Sequence, residues 1–149
     1  MRLSRNQCRA IYAGLIIIAC FIPAHGHVSA FSFLQLAIGG IHSDTELTVI
    51  DLVVVLIPLL LIPTAAMIVL VRALQNKTLN SLLLGLPFFS LSFFFLILSF
   101  DVNRQGASGN IFGLLLEMNI GFYIAMAASL LLLVSYSRRE ALNLSSRRR

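Results

Sequence analysis

Apolar positions run through this chain in four blocks parted by short polar ones. Residues 50–74, 81–100 and 111–136 form three long apolar stretches, each at or near the ~20 residues a helix needs to cross a ~30 Å hydrocarbon core. A shorter stretch, 10–23, precedes them. The pattern predicts an all-α membrane protein, a single membrane domain over 1–149. Its four transmembrane helices form a bundle, with an outer loop over 24–49 and a basic tail over 137–149. Within the loop, Phe31 to Ile38 is apolar, too short to span, and closed by Gly39 and Gly40. Such a segment reads as a short interfacial or re-entrant cap element on the outer face. Its helical and strand periods are both imperfect, which leaves its type open.

Composition agrees with this pattern. Hydrophobic residues make up 58% of the chain and charged residues 11%, with mean hydropathy +0.93, whereas about a quarter of a soluble domain is charged. The spans consume most of the 149 residues and leave no room for a soluble catalytic domain. A net charge of +5 and a pI near 10 raise the question of nucleic acid, but the distribution of charge answers against it. Arg2, Arg5 and Arg9 precede the first stretch, Arg72 and Lys77 separate the second from the third, and Arg138, Arg139, Arg147, Arg148 and Arg149 follow the last. Of the 11 basic residues only Arg104 lies elsewhere. Four spans with both termini in the cytoplasm put all three groups inside, as the positive-inside rule requires. Asp44, Glu46, Asp51, Asp101 and Glu117 fall at or near outer ends, and Glu140 alone is inside.

The first segment allows two readings. A basic 1–9 followed by a ten-residue apolar core has the anatomy of a secretory signal peptide, and Ile17-Ile18-Ala19-Cys20 resembles a lipoprotein cleavage box. The chain stays apolar past Cys20 as Phe21-Ile22-Pro23, which favours a retained helix. Cleavage leaves three spans in the same orientation. Cys8 and Cys20, twelve positions apart, lie about 18 Å apart on a helix, beyond the ~7 Å Cα separation a disulfide allows.

Candidate chemistry is sparse. His25 and His27 flank Gly26 and can meet on one side of an extended segment, with His42 further along the loop and Asp44 or Glu46 beside it. Imidazole is a common ligand for Zn, Cu and Ni, so these three histidines are the candidate metal or pH-sensing set. Interfacial histidines without a ligand are the plainer reading. Ser43 with Glu46, and Thr48 with Asp51, have the spacing of helix-start capping patterns. Pro58 and Pro63 kink the second span by removing backbone donors. Phe88, Phe89, Phe93, Phe94 and Phe95 in the third span supply lipid-facing bulk and core packing.

The fourth stretch carries the most specific pattern. Gly113, Glu117, Gly121, Ala125 and Ser129 recur every four residues and share one face of a continuous helix. Small residues at that spacing admit a close neighbour. A carboxylate on that face points into the bundle and becomes a functional-site candidate. The alternative is an interfacial Glu117 near water and paired with Arg104, since 26 residues at ~1.5 Å each exceed the core thickness.

In span number, loop lengths and arginine distribution the whole chain resembles the small four-span proteins of bacterial inner membranes that have no assigned function. Small multidrug transporters also have four spans, but their essential Glu lies on the first helix, where this chain has no acid. The resemblance implies a multi-pass protein of the inner membrane. The leading expectation is a non-enzymatic accessory or interaction subunit, surrounded by lipid and bound to a membrane-protein partner or to a second copy. No cofactor and no nucleic acid are expected. The alternatives are a small proton- or ion-coupled carrier using Glu117, and outer-face metal or pH sensing through His25, His27 and His42.

Overall fold

The computed structural model describes residues 4–40, 49–104 and 115–136, with the side chains of 36–40, 49–55 and 100–104 left aside. The first helix, α1 (Arg5–Ala19), starts at Ser4, which with Gln7 forms a capping box: Gln7 N–H donates to Ser4 Oγ at 3.3 Å and Ser4 N–H to Gln7 Oε1 at 2.7 Å. Two of the helix's orphan N-terminal donors are met in this way. Beyond Cys20 the chain turns through Phe21 and Ile22 into a small hairpin, β1 (Pro23–His25) against β2 (Val28–Ser29). Gly26 takes the turn at φ +54, a left-handed conformation that glycine adopts without a Cβ penalty. Ser29 Oγ then accepts Ser32 N–H at 3.1 Å, capping α2 (Ala30–Gly40). The segment whose type the sequence leaves open is therefore helical.

Two long helices follow, α3 (Val49–Leu74, 26 residues) and α4 (Ser81–Arg104, 24 residues). Both prolines lie inside α3, and Thr64 Oγ1 donates to Leu60 O at 2.7 Å. The α3 C-terminus closes with a Schellman arrangement: Asn76 sits at φ 53, its N–H bonds to Ala73 O at 3.1 Å, and Lys77 N–H bonds to Arg72 O at 3.0 Å. Asparagine tolerates the left-handed position that ends a helix this way. The last helix, α5 (Ile120–Val134), is preceded by Asn119 as N-cap and a short helical turn over 115–117.

α1 packs against α3 and α5, and α4 packs against the same two, so the four helices form a closed four-sided bundle. Ala13, Ile16, Ala66, Val69, Leu84 and Leu132 are fully buried at its centre. Alanines recur there, with Ala65, Ala73 and Ala128 also buried, and small side chains let helices approach closely. At one end Asn6 Nδ2 bonds to Asn76 Oδ1 at 3.1 Å, and Arg9 Nε and Nη2 bond to Ser135 Oγ at 3.1 Å and Ser135 O at 3.0 Å. The start of α1, the α3–α4 turn and the end of α5 therefore meet at the same end. The hairpin closes the opposite end.

α3 and α4 are long and apolar enough to cross a membrane, over Leu56–Leu74 and Ser81–Ser99. α1 and α5 have 15 residues each, about 22 Å at 1.5 Å per residue. Helix boundaries depart from expectation at three points. α1 begins ahead of residue 10, because Ser4 and Gln7 cap it, and stops short of Pro23, which opens β1. α4 runs past residue 100 to Arg104. The stretch 111–136 is not one helix where it is described. Met118 leaves helical geometry to bridge His25, and Asn119 N–H donates to Ala24 O at 2.8 Å, so the strand displaces the helix there.

Candidate functional site beneath the hairpin

The hairpin docks on α5 through contacts that only particular residues permit. A Cβ on Gly121 would lie 2.7 Å from both Ile22 O and Pro23 O. Glycine is thus the residue that lets the backbone leading into β1 rest on the first turn of α5. Asn119 completes the joint, its Nδ2 donating to Gly26 O. The neighbour that Gly121 meets is this backbone segment and not another helix.

Under the hairpin lies a cavity of about 290 Å³. Ala19 and Cys20 from the end of α1, Val28 from the hairpin and Phe33 from α2 form its upper wall; Leu59 and Ile62 of α3, Leu91 and Phe94 of α4, and Phe122 and Ala125 of α5 form the rest. Phe33 and Phe94 meet edge to face, centroids 6.0 Å apart, where α2 comes against α4. The described lining contains no carboxylate, Lys or Arg; Cys20, His25 and Ser29 supply its polar groups. Ser29 Oγ is already engaged by Ser32, whose hydroxyl lies 3.0 Å away.

The cavity is partly open, and its apolar lining offers few of the two to four polar partners that an ordered water needs.

The residues singled out from the sequence fall in several places. Gly121, Ala125 and Ser129 are buried on one face of α5, with Ser129 Oγ donating back to Met126 O at 2.9 Å. Gly113 lies outside the described residues. Glu117 is exposed and belongs to the 115–117 turn, ahead of the break at Met118. The break removes it from the Gly121–Ser129 face that the four-residue spacing assigns to it, and it does not point into the bundle. Exposed His25 and His27 lie on β1 and in the hairpin turn, while His42 lies outside the described residues, as do Ser43, Glu46 and Thr48. Among the described residues no group of three His, Cys, Asp or Glu side chains is placed to hold a metal. Both cysteines are free thiols.

Two residues that organise the ends of the bundle were not singled out. Arg9 is 1% exposed and holds the end of α5; its only sequence signal is its place nearest the apolar core of the basic group. Asn119 sits where an uninterrupted helix was expected, and an Asn before an apolar run is an N-cap signal. No family model, characterised protein or solved structure matches this chain.

Proposed function

We propose that the chain is a multi-pass membrane protein whose four bundled helices all cross the bilayer, with both termini at the cytoplasmic face. We further propose that it serves as a non-enzymatic accessory subunit for another membrane protein, in a bacterial inner membrane. The observation that carries the topology is the meeting of the α1 start, the α3–α4 turn and the α5 end. That end collects Arg5, Arg9, Arg72 and Lys77, the charge expected on the cytoplasmic side. α1 and α5 are short, but the hairpin and the 115–117 turn extend them at the opposite end. The accessory role is supported by large apolar side chains on the outward surfaces of α3 and α4, among them Met67, Ile68, Phe89 and Phe93, which suit lipid and neighbouring helices alike.

A reporter active only outside the cytoplasm tests the topology when fused at Gln75, after Gly106 and at the C-terminus. Activity after Gly106 alone is expected; activity of the C-terminal fusion overturns the arrangement. Purification from native membranes in mild detergent tests the role. A reproducible membrane-protein partner supports it, and a lone oligomer of this chain counts against it.

A further inference from the structure

We propose that the cavity beneath the hairpin is a binding site for an alkyl chain, supplied by an acyl tail of a surrounding lipid or by a free alkyl ligand. The proposal goes beyond the accessory role, and only its lipid source rests on the membrane reading.

The lining defines the chemistry. Its walls are aliphatic and aromatic, and its few polar groups, Cys20, His25 and Ser29, give a polar ligand little to bond with, Ser29 being committed to Ser32. A cavity of about 290 Å³ is roughly twice the 150 Å³ apolar cavity that stays dry and takes benzene. It also falls close to the lower end of the ~300–1,000 Å³ range of small-molecule pockets. That suits a short length of hydrocarbon and not a folded lipid with its headgroup. The cavity also persists for a structural reason. Gly121 brings the backbone at Ile22 and Pro23 onto α5, and Asn119 fixes the hairpin turn at Gly26. The roof is therefore held by close contacts at its edge and cannot settle into the space below. In a partly open cavity with these apolar walls, hydrocarbon gains dispersion contacts without leaving hydrogen bonds unmet.

The test is photolabelling of the full chain in nanodiscs. One arm uses phosphatidylcholine with a diazirine near the end of an acyl chain; the other uses a free long-chain alkyl diazirine in discs of unlabelled lipid. Adducts are mapped by mass spectrometry. Adducts at Ala19, Cys20 and Phe122 in excess of those at outward-facing Leu82 and Met67 are expected. Excess in the lipid arm identifies the bilayer as the source; excess in the free arm alone identifies a free ligand. Ala125→Phe, which fills the cavity, should reduce cavity adducts to the level at Met67. Should that variant not fold, unlabelled hexadecane is titrated into the wild type, and a fall at Phe122 with no fall at Met67 is expected. Cavity adducts no more frequent than surface ones in both arms, or a parallel fall at both positions under competition, overturns the proposal.

Discussion

Two glycine-to-alanine substitutions should shift stability in opposite directions, and the difference follows from where each glycine sits. On Gly121 the new methyl would lie 2.7 Å from Ile22 O and Pro23 O, with Ile22 C at 3.1 Å. All three are backbone atoms, so no side-chain rotation relieves the contact and the hairpin must lift from α5. Overpacking of this kind costs about 1–3 kcal/mol. Alanine recovers up to ~1 kcal/mol of helix propensity, and less in the first turn, where Gly121 lies. A net loss of about 1–2 kcal/mol remains. Gly14 lies inside α1 with no atom beyond its own local helix backbone within 4 Å of the position its Cβ would take. Gly14→Ala should therefore gain about 0.5–1 kcal/mol from propensity and reduced unfolded-state freedom. Reversible unfolding by SDS titration in mixed micelles measures both against wild type, with hydrogen exchange at residues 22–28 as a local readout. Faster exchange at the hairpin should accompany Gly121→Ala and not Gly14→Ala. A Gly121→Ala protein as stable as wild type would show that the hairpin does not rest on α5 as described.

Further outcomes follow from the two ends of the bundle. Arg9→Ala removes two charge-assisted bonds to Ser135 and should cost about 2–3 kcal/mol by the same titration, whereas exposed Arg72→Ala at the same end should stay within about 0.5 kcal/mol. Equal values for the pair would refute a structural role for Arg9. Asn119→Ala keeps the backbone bond to Ala24 but loses the side-chain bond to Gly26; a loss of about 1 kcal/mol is expected, with faster exchange confined to 23–29. Glu117→Gln, at an exposed position, should leave stability within about 0.5 kcal/mol. Proteoliposomes bearing either form should carry no proton flux above empty vesicles, and a wild-type flux abolished by the substitution would restore the carrier reading.

Much of the helical framework was legible because length and hydropathy are local properties. The edges of α3 and α4 at Leu74 and Ser81 follow directly from the polar break that contains Asn76 and Lys77. The hairpin was not legible, since strands of three and two residues carry no periodicity. Its identity depends on Met118 and Asn119, more than ninety positions away in sequence. The same long-range contact explains why the four-residue spacing of Gly113 to Ser129 misplaced Glu117. Spacing assigns a face only while the helix is continuous, and the incoming strand interrupts it. Gly121 was identified through its size, which is a property of the residue; what approaches it is a property of the fold. The cavity left no mark in the sequence, because its walls are the same leucines, phenylalanines and alanines that fill a core.

The bond between Arg9 and Ser135 joins residues 126 positions apart and so carries a schedule for biosynthesis. At about 5–20 residues per second the ribosome delivers Ser135 roughly 6–25 s after Arg9. Throughout that interval the guanidinium has no α5 terminus to dock against. The start of α1 can bond to Asn76 once the α3–α4 turn is made, yet its contact with Ser135 forms only when the last helix arrives. A nascent chain stalled before Ser135 should hold α1 loosely, and one released beyond it should lock.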